Sequence, residues 1–367
     1  MRIERIELHH IELPLRTPFE NSQGRETVRP AILVALQSQG LTGWGECVAF
    51  SAPWYTSETV GTAWHLLADF LAPRLLDMEI SQPEQVAAAF AAVRGHPMAR
   101  ASLEAAAWDW FGQARGQSLA AMLGSVQPAV PVGVSLGIAA SLDALLAQAE
   151  AYVAAGYRRI KLKIKPGWDM QPVAALRQRW PDLALQVDAN SAYTLADAAH
   201  LRKLDAFDLL LIEQPLHHDD IVEHAALQRQ LRTPLCLDES IQSPQQARWA
   251  LAIGACRVIS IKPGRVGGLT AAKEIHDLCL SHEVPVWCGG MLETNIGRAG
   301  NVALAGLPGF TLPGDISASA RYFQQDIAAP DFTLNPDSTI TVPDRPGLGV
   351  QPLPQQLAAA RLRWLAL

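Results

Sequence analysis

The sequence has little of what thiol, disulfide or polyanion chemistry requires. Five cysteines stand in 367 residues (Cys47, Cys236, Cys256, Cys279, Cys288), with no Cys-x-x-Cys pair and no grouping with histidine. A disulfide framework and a zinc site are thereby excluded, and free buried thiols are expected. Neither sign of charge is in excess: 30 Lys plus Arg against 36 Asp plus Glu leaves a formal −6. Such a balance gives no field for nucleic acid or an anionic membrane. Long apolar runs are also missing. The longest charge-free stretch, Gly116–Leu142, is interrupted by Gly124, Pro128, Pro131, Gly133 and Gly137, and reads as a linker and a strand. The opening MRIERIELHHIEL alternates charged and aliphatic residues where a signal peptide needs an unbroken apolar stretch, so a cytoplasmic location is expected. Gly264–Gly268 does not form a Gly-x-Gly-x-x-Gly between strand and helix, and dinucleotide binding is not supported.

What is present suits a compact protein with many short loops: 49% apolar residues, 18% charged, 26 Gly and 25 Pro. The length allows two or three domains, or one barrel with an appendage. Residues 1–50 alternate in the manner of strands, through Ile3, Ile6 and Leu8, then AILVALQS, then an expected glycine-rich turn at Gly43-Trp44-Gly45. From Ser57 to about Gly116 the pattern becomes Ala/Leu-rich and helical, with Pro73, Pro83 and Pro97 expected to separate the helices. This predicts an α+β domain over residues 1–125.

From Val130 short aliphatic runs that end in a polar residue alternate with amphipathic segments such as Leu142–Ala155 and Thr270–His282. The runs are VPVGVSLG, IKLKIKPG, LQVDAN, LLIEQP, LCLDES, VISIKPG, VPVWCGG and FTLPGD. Eight βα units predict a closed α/β barrel over residues 126–322, with a Pro-rich segment, 323–367, returning to the first domain. The terminal polar residues Lys163, Asp188, Glu213, Asp238 and Lys262 are spaced by 25, 25, 25 and 24 positions.

Successive strand side chains point to opposite sides of a sheet, which sorts each run into two sets. One is aliphatic: Leu162/Ile164, Leu185/Val187, Leu210/Ile212, Leu235/Leu237 and Ile259/Ile261. The other is Lys161/Lys163, Gln186/Asp188, Leu211/Glu213, Cys236/Asp238 and Ser260/Lys262. The first set faces the helices and the second the barrel interior, so five charged groups converge at the C-terminal mouth, where barrel enzymes keep their active sites. Asp188, Glu213 and Asp238 supply hard oxygen donors without His or Cys, a set that favours Mg²⁺, with Mn²⁺ as the alternative. As helix caps they would have no such meaning, but three on one parity at equal spacing argue against capping.

Strands two and six lie half a circumference apart, so Lys163 and Lys262 should face each other across that mouth. A substrate carboxylate held at the metal would present its α-carbon to one amine on each face, an arrangement suited to removing a proton α to a carboxylate. A lysine base at neutral pH needs its pKa lowered from about 10.4 to roughly 7–8, a change of about 4 kcal/mol. Lys161 beside Lys163, and Arg265 after Lys262, are expected to supply the cationic neighbours that lower it.

These residues carry a resemblance. Lys161-x-Lys163, Asp188, Glu213, Asp238-Glu239 and Lys262 resemble the enolase superfamily, in its two-lysine, muconate-lactonizing subgroup. Enolase-superfamily sites are themselves a standard illustration of a Lys or His base working with Mg²⁺. The segments YRRIKLKIKPGWD, QVDANSAYTL, IEQPL, TPLCLDES, IKPGRVGG, PVWCGGMLE and LPGD are similar to the o-succinylbenzoate synthase / N-succinylamino acid racemase family over nearly the whole chain. The resemblance implies a modified TIM barrel with an N-terminal α+β capping domain, whose loops here are Pro18–Thr27 and Phe50–Ser57. It implies Lys163 and Lys262 as catalytic residues, and Asp188, Glu213 and Asp238 as metal ligands. Lys161, Asn190, Glu239 and Arg265 would support them, and Ser135, Phe19, Trp54, Tyr55, Gly289, Gly290, Met291 and Asp315 would meet substrate.

Phe19, Phe50, Trp54 and Tyr55 would form an apolar wall that excludes water, with ordinary core packing as the competing account for each of them. Gly289-Gly290 and the Gly314-Asp315 turn read either as backbone N–H donors to a second substrate carboxylate or as tight turns alone. His217-His218 read as surface histidines. Strand seven carries Trp287 and Cys288 where a mandelate-racemase-like base would need histidine.

The implied activities share one proton abstraction. In the synthase reading, which belongs to menaquinone biosynthesis, Lys163 takes the α-proton of a cyclohexadiene carboxylate and loss of hydroxide leaves the aromatic product, with Lys262 as a stabilising cation. In the racemase reading the two lysines exchange protons with opposite faces of an N-acylamino acid. A catalytically silent barrel that binds a small acid through the same metal is the reading from another class. The expected partner is a small carboxylate, with no nucleic acid and no membrane, and a homo-oligomer is expected because large capped barrels commonly assemble symmetrically.

Overall fold

The computed structural model describes residues 1–22 and 24–367. Within the loop Pro18–Thr27, Gln23 lies outside the described residues.

The N-terminal sheet is an antiparallel meander of Arg5–Glu20, Arg25–Ser38 and Leu41–Cys47, with the C-terminal strand Arg361–Ala366 paired to the first. Both faces of this sheet are covered. Ile6, Leu8, Ile32, Val34 and Leu36 pack into one core with the cap helices, while Ile11, Leu13, Ala31 and Leu33 pack into the barrel core. This is why AILVALQS reads as a continuous apolar run, as a strand buried on both sides does. Gly43 and Gly45 are strand residues and not a turn. A Cβ at either position would stand 2.0 Å from a carbonyl oxygen of the long cap helix Pro97–Arg115, on Ala106 and Ser102 respectively, so glycine is what lets that helix lie against the strand.

The proline separators hold in part. Pro83 and Pro97 stand at helix starts, where a missing N–H removes no bond. Pro73 instead lies inside the continuous helical stretch 60–75, which accommodates it through a widened turn at Leu67–Leu71.

Among the described residues, seven parallel strands form the barrel sheet: Val134–Leu136, Arg159–Lys163, Ala184–Asp188, Ile212–Glu213, Leu235–Leu237, Val258–Ile261 and Val286–Cys288. They pair in sequence order, and helices such as Leu142–Ala154 and Leu269–Ser281 cover the outside. The expected eighth strand is not one. FTLPGD closes the ring through single contacts: Gly314 donates to Pro131 O and accepts from Gly133 N, and Asp315 N–H donates to Cys288 O. Pro313 has no N–H for a ladder, which breaks the strand at the seam.

The two parities separate as expected, with one exception. Leu162, Leu185, Val187, Ile212, Leu235, Leu237, Ile259 and Ile261 belong to the large core shared with the helices. Inside the ring a small separate cluster forms from Leu211, Cys236, Val258 and Trp287. Leu210, two residues before its short strand, packs against that inner cluster. All five cysteines are free and buried, and no described helix is long and apolar enough to cross a membrane.

Candidate active site

Arg159, Lys161 and Lys163 share the inward parity of the second barrel strand, and all three are buried. Reading the parity two residues further back would have found Arg159. Its guanidinium donates to Asp315 Oδ1 (2.7 Å), Pro313 O (2.9 Å) and Gly314 O (2.6 Å), which staples the irregular eighth segment to the wall. Asp315 Oδ2 accepts from Ser135 Oγ (2.9 Å) and pairs with Lys161 Nζ (2.6 Å). Replacing Arg159 by Met should therefore destabilise the fold by about 3–5 kcal/mol in chemical denaturation, because it strands buried acceptors at the closure of the barrel. A loss below about 1 kcal/mol would show that the seam closes without it.

Lys161 Nζ also lies 3.0 Å from Glu213 Oε2 and 3.2 Å from Asp188 Oδ2, above the Trp287 ring at 4.9 Å. Lys163 Nζ donates to Asp188 Oδ2 (2.6 Å) and Asn190 Oδ1 (2.7 Å), and Asn190 Nδ2 donates to Glu239 Oε1 (2.8 Å). On the other flank, Lys262 Nζ contacts Asp238 Oδ2 (2.7 Å) and Tyr55 Oη (3.0 Å). Arg265 pairs with Asp238, and donates to Tyr55 Oη (3.3 Å), Ile241 O (2.7 Å) and Ser260 O (2.6 Å). The strands of Lys163 and Lys262 are separated by three others, which carry Asp188, Glu213 and, just past its end, Asp238.

At Lys262, and at Lys161 beside the site, the electrostatics run against a lowering of the lysine pKa by cationic neighbours. Burial disfavours the Lys161 ammonium, but Asp315, Glu213 and Asp188 outweigh it and hold its pKa above the ordinary lysine value. For Lys262 burial is likewise overcome, by Tyr55, Glu213 and Glu239, and its pKa is also raised. Arg265 therefore acts first on Asp238, which it shares with Lys262, and not as a lone cation beside the amine. Burial works against ionised Asp188, yet Lys163 and Lys161 keep its carboxyl well below the usual range. Glu213 is pushed up to about 6, by burial and then by Asp188.

The donor set of Asp188, Glu213 and Asp238 fits a hard divalent cation. All three are fully buried carboxylates, and Glu213 Oε1 has no hydrogen-bond partner among the described residues. Their oxygens are drawn apart onto the amines. Among the described residues, the trio of potential donors within 4.8 Å of one another is instead His217, His218 and Asp219, at the surface and not lining the cavity.

The mouth opens into a cavity with a mixed apolar and charged lining, as small-ligand sites have. Phe19, Phe50, Trp54 and Tyr55 of the capping loops line it, with Ser135, Lys161, Lys163, Asn190, Lys262, Gly290, Met291 and Asp315. Glu26, Leu292 and Tyr322 also line it and were not expected; Tyr322 follows the last barrel unit, where no periodicity marks a face. Gly289 is not on the cavity wall. Its N–H is spent on Ile261 O, and a Cβ there would lie 2.5 Å from Lys262 Cε, so this glycine makes room for the lysine stem. The Asp315 N–H is likewise spent, on Cys288 O, and offers substrate nothing.

Comparison with known proteins agrees with this architecture over the full chain. Residues 5–124 match the N-terminal domain of mandelate racemase / muconate lactonizing enzyme, and residues 144–356 match the enolase C-terminal domain-like family. An o-succinylbenzoate synthase of Bacillus subtilis (strain 168) is 50% identical over 352 residues, covering 96% of this chain and 94% of its own. An N-succinylamino acid racemase of an Amycolatopsis species is 49% identical over 358 residues, covering 97% of each. The crystal structure of an enolase-superfamily member from Listeria innocua superposes with a TM-score of 0.96 at 42% identity, covering 100% of this chain and 99% of that one. With a capped parallel barrel and both of its domains matched, the chain belongs to the enolase superfamily, in the mandelate racemase / muconate-lactonizing enzyme family.

Proposed function

We propose that this protein is an o-succinylbenzoate synthase that also racemises N-succinylamino acids, with Lys163 and Lys262 as its two catalytic amines. One observation carries the reading: the two lysines line one cavity from strands separated by three carboxylate-bearing strands, under apolar side chains of the cap. Asp188, Glu213 and Asp238 would hold a divalent cation, Mg²⁺ first and Mn²⁺ as the alternative. When bound, it supplies positive charge to the substrate carboxylate.

Lys163 accepts the α-proton at Nζ from one face, held in place by Asn190 Oδ1, which Glu239 orients in turn. In the synthase reaction the electron pair left at the α-carbon forms the new ring double bond as the C–O bond breaks and hydroxide departs. Lys262, kept cationic by its carboxylate surroundings, stabilises the negative charge that builds on the way. In the racemase reaction Lys262 delivers a proton to the opposite face. Phe19, Phe50 and Trp54 exclude water from this volume, which strengthens each of these interactions.

The racemase activity is supported by the second amine standing on the opposite flank of the same cavity, and both names occur among relatives at 49–50% identity. Incubating each enantiomer of an N-succinylamino acid with protein and Mg²⁺ in deuterium oxide tests it. Deuterium should enter the α-position of both, and a cyclohexadiene carboxylate should be dehydrated by the same preparation. Dehydration without exchange would remove the racemase activity. Mg²⁺-dependent binding with neither reaction would favour a silent acid-binding barrel.

A further inference from the structure

The capping loop between Phe50 and Thr59 reaches the barrel mouth with Phe50 and Tyr55 packed against the core and the rest of its apolar surface open. Trp54 is 63% exposed, and Ser51, Pro53 and Ser57 are exposed as well. Of residues 50–59, Glu58 alone is buried. A carboxylate, the side chain most costly to remove from water, thus stands where a loop would ordinarily bury an aliphatic residue.

Its partners explain why. Glu58 Oε2 accepts from Met98 N and Oε1 from Ala99 N, each at 2.8 Å. These are the second and third positions of the cap helix Pro97–Arg115. The residue before that helix, His96, is held at φ 49° and makes no side-chain cap, and Pro97 has no N–H to satisfy. The helix start therefore leaves two unpaired N–H groups, and a carboxylate from another segment is the acceptor that meets both. The base of the loop is closed by Val60 N–H to Phe50 O at 2.8 Å. Three residues before Glu58, the Tyr55 hydroxyl lies 3.0 Å from Lys262 Nζ and 3.2 Å from Asp238 Oδ1.

We propose that Glu58 is a positioning residue: by tying the loop to the N-terminus of the cap helix it fixes Trp54 and Tyr55 over the barrel mouth, and so sets how tightly substrate is held. The kinetic consequence rests on the function proposed above, whereas the local consequence for the loop does not.

Hydrogen–deuterium exchange and steady-state kinetics on the full-length protein with Mg²⁺ test it. In Glu58→Ala, amide exchange should rise at least about tenfold in residues 50–59 and the first turn of the cap helix, and stay unchanged in the barrel strands. KM for the cyclohexadiene carboxylate should rise about tenfold while kcat falls less than about threefold, because the amines and carboxylates are untouched. Glu58→Gln, whose amide oxygen still accepts one bond, should restore most of the protection and lie between the two in KM. If Glu58→Ala does not fold, Glu58→Gln carries the test through a smaller, still local, rise in exchange. Unchanged exchange in residues 50–59, a rise spread evenly over the barrel, or a fall in kcat at constant KM would each overturn the proposal. A wild-type protein without turnover would count against the proposed reaction and leave the exchange measurement to decide the role of Glu58.

Discussion

Lys163→Ala should lower synthase turnover by about 10²–10⁴-fold, the range that a positioned general base contributes. It should also erase α-deuteration of one N-succinylamino acid enantiomer while sparing the other. The split follows from the two flanks of the site. Lys163 and its partners Asp188 and Asn190 lie on one side, and Lys262 with Asp238 and Tyr55 on the other. A base on one flank can reach the α-hydrogen of only one antipode. Lys262→Ala should give the mirror result, exchange surviving in the opposite enantiomer. The fold should tolerate the first substitution, since Asp188 keeps Lys161 at 3.2 Å and is not left as an uncompensated charge. Both enantiomers still exchanging in Lys163→Ala would mean that the base has been assigned wrongly.

Chelation should have an effect as large. Treatment with excess EDTA should abolish dehydration and α-exchange together, and added Mg²⁺ should restore both. Glu213→Gln should raise the Mg²⁺ concentration needed for half-maximal activity by more than about 100-fold, the upper end of what losing an outer partner of a metal ligand costs. The reason is electrostatic: Asp188, Glu213 and Asp238 are fully buried, and Glu213 keeps one oxygen without a partner among the described residues. Titration of the chelated protein by calorimetry would check the affinity apart from turnover. Undiminished activity in EDTA would leave the amines and Arg265 as the whole electrostatic machinery.

Much of the site could be read from alternation along single strands. Lys161, Lys163, Asp188, Glu213, Asp238 and Lys262 reach one mouth because a period of two is a property of the extended backbone itself, whatever packs around it. The same rule, continued two residues, would have included Arg159. Local reading fails where the meaning of a glycine or proline is set by what packs against it. Gly43 and Gly45 look like a turn until the Pro97–Arg115 helix is seen lying on them, and Pro73 looks like a helix end until the widened turn before it is seen. Gly289 looks like an amide donor until the stem of Lys262 is found beside it.

By itself the sequence determined the class of fold, the two faces of each barrel strand and the kind of side chain on the inner one, because these depend on composition and on the local geometry of a few consecutive residues. Tertiary structure alone decided the closure of the ring through Arg159 and Asp315, the seating of the cap loop on Glu58, and the balance of charge around each lysine. Those features join residues 40 or 156 positions apart along the chain. Coulomb interactions depend on distance in space and on burial, and neither is encoded in the spacing of residues along a strand.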